Sequence, residues 1–354
     1  MERGGQWRDR SGMTDKQRYG KTIQQMIKPI KDNKMKKYFM LPAALLLALT
    51  ACNNEEEAAG NSGENTPVSF TADIAGQQTT RAYDQIWENG DKIGISGTSG
   101  DVTYTNVAYE TTNGDGNFTI VPGGTTIYYR TTDAVTFTAY YPWNNLATGV
   151  TTIPADTREQ SAQKGFDFLR AQGTGSKASM NVAFSFAHKM AKLALTIKPG
   201  TGVSYDEVKT ARLMLSGYLY KGSFNVTTGT STAEAETPTE YKPFADKDDT
   251  GKAYNAPSAT DEVKQTVTYS LILFPQSFDT ASGMTFEAVL GQTLSTQLDF
   301  TTANRDAGDA DPKNQLVAGR QYNLSIVLNK KEATVTGCEI SAWKNANGGE
   351  FNAN

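Results

Sequence analysis

The chain has 354 residues, with 34 Lys and Arg, 38 Asp and Glu and a single histidine, and carries a formal charge of −4. Taking off the 11 basic and 4 acidic residues of the first 51 leaves 23 against 34 from Cys52 onward, a formal −11. Such a surface argues against nucleic acid or an anionic membrane surface as partner, since both need a basic footprint. One histidine, His188, removes most metal sites and all multi-histidine chemistry.

Residues 1 to 34 are polar and basic, without an apolar period. They read as an upstream extension, with translation expected to begin at Met35. Residues 35 to 51 have the parts of a secretory signal: Lys36 and Lys37, an apolar run from Tyr38 to Ala48, and small residues at the end. The run is too short to span a membrane as a helix. Leu49-Thr50-Ala51-Cys52 resembles a bacterial lipobox, which implies cleavage before Cys52 and lipid on its thiol. With Cys52 acylated, Cys338 is left without an intrachain partner and reads as a small buried hydrophobe. Residues 52 to 67, acidic and small, read as a flexible linker.

From Val68 the chain reads as β. Val68, Phe70, Ala72 and Ile74 alternate with polar residues, the period of a half-buried strand. The stretch from Gly76 to Ala82 is polar and predicts a loop. Asn89-Gly90-Asp91 and Asn113-Gly114-Asp115-Gly116-Asn117 are turn signals between short strands. Val135, Phe137, Ala139 and Tyr141 alternate up to Pro142, which stops the run. Phe184 and Phe186, then Leu193, Leu195 and Ile197, predict one long strand through His188. The polar stretch from Thr230 to Ser258 predicts a long loop or insertion. Val267 to Leu273, Met284 to Leu290, Leu294 to Phe300, Tyr322 to Leu328 and Val335 to Trp343 predict the remaining strands. Many short strands and no long helix give an all-β chain of two antiparallel β-sandwich domains, residues 68–178 and 179–354.

Chemical motifs are few. Gly173-Thr174-Gly175-Ser176-Lys177 lacks the spacing and the strand-to-helix setting of a phosphate loop. Asn113, Asp115 and Asn117 begin like a calcium loop but lack its glycine and its closing glutamate, so a hairpin turn is the better reading. Asp306, Asp309, Asp311 and Asn314 offer oxygen ligands, with a solvated loop the preferred reading. His188 has no nucleophile elbow to serve, and a buried or edge histidine is expected. Trp143, beside Asn144 and Asn145, is either a sugar-stacking platform or core. No cofactor and no enzymatic constellation is expected.

Several pieces together resemble one family, the Mfa-like fimbrillins (type V pilins) of Bacteroidetes. They are the lipobox, Trp87-Glu88-Asn89-Gly90-Asp91-Lys92-Ile93-Gly94, Phe137-Thr138-Ala139-Tyr140-Tyr141-Pro142, Phe186-Ala187-His188-Lys189-Met190-Ala191-Lys192-Leu193, Gly319-Arg320-Gln321-Tyr322 and the ending Gly337 to Trp343. The resemblance implies two transthyretin-like (Greek-key) sandwiches and a lipoprotein precursor exported to the outer surface, as the acidic run after Cys52 also suggests. It further implies that a trypsin-like protease cuts between Arg81 and Ala82, removing the first strand. A strand of a neighbouring subunit then fills the groove, a form of β-augmentation. The C-terminal segment Ala333 to Phe351 is the donor that the resemblance offers. Asp279-Thr280-Ala281 matches a short O-glycosylation sequon at Thr280. Expected partners are other fimbrial subunits, the outer membrane through lipid on Cys52, and a host glycan or protein. The alternative is a permanently anchored tip or anchor subunit that acts as an adhesin.

Overall fold

In the computed structural model the described residues are 65–75, 86–234, 257–278, 283–298, 300, 304–305 and 315–343. All fall in the unit Asn61–Asn354. Strands of four or more residues, and one of three, are labelled in chain order. The first eight are β1 (Ser69–Ile74), β2 (Lys92–Ser99), β3 (Val102–Glu110), β4 (Asn117–Ile120), β5 (Val135–Tyr141), β6 (Thr152–Asp156), β7 (Leu169–Gly175) and β8 (Asn181–His188). The next five are β9 (Ala191–Pro199), β10 (Arg212–Ser216), β11 (Lys221–Asn225), β12 (Thr230–Ala233) and β13 (Ala259–Asp261). The last five are β14 (Thr266–Leu273), β15 (Thr285–Val289), β16 (Thr293–Gln297), β17 (Arg320–Asn329) and β18 (Glu332–Ala342).

The all-β expectation holds, and the alternating strands place their apolar residues inward as the period requires. Seven strands close into a barrel in the order β8-β1-β4-β3-β2-β5-β7. Its core is aromatic, with Phe70, Trp87, Phe118, Tyr129, Phe137, Phe184 and Phe186 packed together. A sheet β13-β14-β9-β17-β18, extended by Asn304–Arg305, faces the sheet β10-β15-β16. The core between them is more aliphatic, built on Leu193, Leu195, Leu271, Leu324, Ile326 and Ile340.

Three ladders depart from the antiparallel expectation. β1 runs parallel to β8, β9 runs parallel to β17, and Asn304–Arg305 runs parallel to β18. The long strand predicted through His188 is two strands. β8 ends at His188, Lys189 N–H donates to Phe168 O at 2.7 Å, and β9 starts at Ala191 in the other sheet. β8 lies beyond residue 178, yet it pairs with β1 and β7 and sends Phe184 and Phe186 into the barrel core. The predicted long loop begins as structure: β12 pairs antiparallel with β11. The linker expected up to residue 67 ends in structure too, because Thr66–Pro67 pairs with Tyr128–Tyr129.

A third cluster joins the barrel to the sheets. It contains Tyr140, Phe166, Phe168, Phe224, Phe274 and Trp343, with Phe168 stacked on Phe224 at 4.7 Å. Tyr140 faces this cluster and Tyr141 the barrel core, so the end of β5 is buried on both faces. β6, from the chain between β5 and β7, pairs with β11. The outer edge of β14 is covered by β13 as far as Thr268. Beyond it, Gln163 Nε2 donates to Ser270 O at 2.7 Å. The Gln160 amide both accepts from Ile272 N–H at 2.8 Å and donates to Ile272 O at 2.9 Å. Two glutamines thus stand in for a missing neighbour strand, which keeps that edge from pairing with another chain.

Candidate functional site

The candidate site is the seat of β1 in the barrel. Each of Val68, Phe70, Ala72 and Ile74 is buried, at most 6% exposed. Their removal from water contributes roughly 1.5–3 kcal/mol for each of the larger side chains. Phe70 is the centre: its ring lies 4.9 Å from Tyr109, 5.5 Å from Phe137 and 5.7 Å from Phe184, edge-on to the first two and stacked on the third. Such ring pairs add to the burial energy.

Main-chain bonds hold β1 on both sides. Ser69 to Ile74 pair with Asn181 to Phe186 of β8, whereas only Phe70 and Thr71 pair with β4. Val68 N–H donates to Ile127 O at 3.0 Å, and Ala75 N–H to Phe186 O at 2.6 Å. On the β4 side the turn Asn113–Asn117 takes over from the strand. Ala72 N–H donates to Gly116 O at 2.8 Å, and Trp87 Nε1 donates to Ala72 O at 2.7 Å. Gly116 has φ +77°, and a Cβ there would come within 2.5 Å of Ala72 O. Glycine is needed both for the left-handed backbone and for the close approach. Asp115 holds the turn by accepting from Asn117 N–H at 2.9 Å and from Asn117 Nδ2 at 3.0 Å. This carboxylate serves a hairpin turn.

The Trp87 motif has a second role. Asp91, 5% exposed, accepts from Glu88 N–H at 2.7 Å and from the Tyr141 hydroxyl at 3.0 Å. Lys164 bridges Glu88 at 2.6 Å and Asp91 at 2.8 Å. Burial, and then the Asp91 carboxylate, push the Tyr141 hydroxyl far above its ordinary pKa. Tyr141 therefore stays a neutral donor. The network fixes Trp87 over the end of β1, where its ring also meets Phe118, Tyr141 and Phe186 edge-on.

His188 is buried, as expected. Its Nδ1 pairs with Asp167 Oδ1 at 2.8 Å, and its ring stacks on Trp343 at 3.7 Å. No nucleophile stands beside it among the described residues, and its position ties the end of β8 to the end of β18. Trp143 is half-buried against the third cluster and its Nε1 donates to Asn106 O at 3.4 Å, so part of its ring serves packing. Gly173 and Gly175 lie in β7. A Cβ on Gly173 would crowd Val182, and one on Gly175 would strike the Tyr129 hydroxyl, so both are there for packing.

Residues 1–64, which include Cys52, the signal and most of the linker, lie outside the described residues, as do Arg81, Ala82 and Thr280. The same holds for Asp306, Asp309, Asp311, Asn314 and the segment after Trp343. Within the seat, the indole donor and the close approach of Gly116 are the parts that alternation could not reveal. The signals for them were the run Trp87-Glu88-Asn89-Gly90-Asp91, which read as a turn and as a piece of the family resemblance, and the turn Asn113 to Asn117.

A family model described as fimbrillin-like matches residues 80–343. A candidate fimbrium subunit, Fim1C, of Bacteroides uniformis is 28% identical over 328 residues, covering 89% of this chain and 98% of that one. Among solved structures, a candidate cell adhesion protein of Bacteroides uniformis is similar with a TM-score of 0.60 and 27% identity, covering 79% of this chain and 99% of its own. A candidate cell adhesion protein of Bacteroides ovatus is similar with a TM-score of 0.59 and 25% identity, covering 79% and 98%.

Proposed function

Because the chain belongs to the fimbrillin-like family, we propose that it is a fimbrial subunit made as a surface lipoprotein and assembled by strand exchange. Its role is structural and adhesive rather than catalytic. In this reading Cys52 carries the lipid and a trypsin-like protease cuts between Arg81 and Ala82. Linker, lipid and β1 then leave together. The barrel of residues 68–188 is the domain that receives a donor, and the sheets from residue 191 onward form the second domain.

One observation supports the reading above others. β1 is the first long strand of the barrel, and what holds it is repeated main-chain pairing plus the alternate buried side chains Phe70, Ala72 and Ile74, with Val68 just before them. Another strand with apolar residues at the same period can make the same bonds, because ladder bonds do not depend on side-chain identity. Trp87 Nε1 and Gly116 O would bond any incoming main chain as they now bond Ala72.

The test is the N-terminal sequence and lipid status of the protein taken from the cell surface, with and without a trypsin-like protease. The expected product begins at Ala82, has lost its lipid, and forms ladders stable in detergent. An intact lipidated monomer after protease treatment would leave the anchored tip or anchor subunit as the surviving reading.

A further inference from the structure

A cavity of about 350 Å³ opens at the Ile74 end of the β1 seat. That is within the size range of small-molecule pockets. Ile74, Trp87 and Ile272 form apolar wall, and Glu88, Asp91, Lys164 and Asp167 supply the charge. Three carboxylates thus face one ammonium. Lys164 is engaged with Glu88 and Asp91. Asp167, 7% exposed, has His188 as its ion-pair partner among the described residues. The field of all three acids converges on one atom: besides burial, Asp91, Asp167 and Glu88 each push the Tyr141 hydroxyl upward in pKa. Glu88 is partly exposed, but Asp91 and Asp167 are buried, and buried carboxylates with so little positive charge beside them are costly unless a cation joins them.

We propose that this cavity is a specificity pocket for a basic side chain, Lys or Arg, carried by the incoming donor strand of another fimbrial subunit at the register of Ile74. The proposal rests on the strand-exchange reading above. Ile74 is the last core residue of β1 and also part of the cavity wall. When β1 leaves, groove and cavity become continuous. A long basic side chain at that register lays its methylenes against Trp87 and Ile272 and places its charged head among the carboxylates. An acidic side chain there would add a fourth negative charge, which rejects the wrong partner. Slipping the donor by one residue turns its side chains to the other face, so the pocket also fixes register.

The full chain, folded and nicked after Arg81, is challenged with peptides of the sequence Thr66 to Ala75. One is native, one carries Ile74→Lys and one Ile74→Glu, and incorporation is read on a native gel. The lysine peptide is expected to displace β1 at least about tenfold more effectively than the glutamate peptide, with the preference collapsing in a Glu88→Gln/Asp167→Asn protein and in high salt. Equal incorporation of the lysine and glutamate peptides overturns the pocket and leaves strand exchange standing. Exclusion of all three, the native peptide included, overturns strand exchange and the pocket with it. The uncut chain gives an independent reading: Ile74→Lys is expected to melt higher than Ile74→Glu, and the same or reverse order overturns the proposal.

Discussion

The first and last long strands among the described residues, β1 and β18, are held in different ways. β1 has six residues, is parallel to β8, and meets β4 at only two positions. It depends on three inward side chains with Val68 just before them, an indole donor and a glycine turn. β18 has eleven residues and pairs with β17 from Arg320↔Ala342 to Asn329↔Glu332, with one irregularity at Ser325/Ile326. It joins a core made largely by its own half of the chain, and Trp343 at its end stacks on His188. In the proposed exchange, a short strand seated in a socket made by other elements is the cheaper one to replace. A long strand continuous with its hairpin partner is costlier to extract. The two segments that the proposed exchange would involve are not equivalent: β1 shares short ladders with other elements, whereas donation of Ala333–Phe351 would first dismantle the long ladder of β18 with β17.

The largest expected effects test that difference. Phe70→Ala should lower the stability of the uncut chain by about 3–5 kcal/mol and Ile340→Ala by about 2–5 kcal/mol, both by urea denaturation. The two should part once β1 has been exchanged for a donor. The Phe70 variant should then melt like the parent, because its altered strand is gone, while the Ile340 variant stays weak. Persistence of the Phe70 defect after exchange would mean that β1 is not replaceable.

Trp87→Phe should have a smaller effect. It keeps most of the ring packing but leaves Ala72 O without its buried donor, at a cost of about 1–3 kcal/mol. Since Trp87 would hold a donor's carbonyl in the same way, the loss should appear in both the uncut and the exchanged protein. A defect confined to the uncut form would show that the indole serves β1 alone.

The smallest effect expected is at Gly337 in β18. A Cβ there meets nothing within 4 Å, and its φ lies outside the left-handed region. Gly337→Ala should stabilise the chain by about 0.4–1 kcal/mol through the unfolded state, measured as a rise in the urea midpoint. A loss instead would mean that the irregularity beside Ser325 needs glycine.

Alternation alone made the most regular strands legible. The inward sets Val68 to Ile74, Leu193 to Ile197, Val267 to Leu273 and Tyr322 to Leu328 are buried as their period requires, because a strand's period of two is a local property of the chain. The short helix Tyr205–Thr210 was legible but passed over: Ser204 and Glu207 form a capping box. The charge balance and the scarcity of histidine were equally plain without coordinates. What only the tertiary structure decided was partnership. Alternation says which face is buried but not which strand lies alongside, nor in which direction. It therefore could not show that β8 and β9 separate at Lys189, that β1 runs parallel to β8, or that β6 pairs with β11 across the two cores. The Trp87 bond to Ala72, the Gln160 clamp on Ile272 and the carboxylates gathered at Ile74 are contacts between residues distant in sequence. Such contacts exist only after the chain has closed on itself. The sequence specified a seat for a strand, and the closed fold decided what surrounds it.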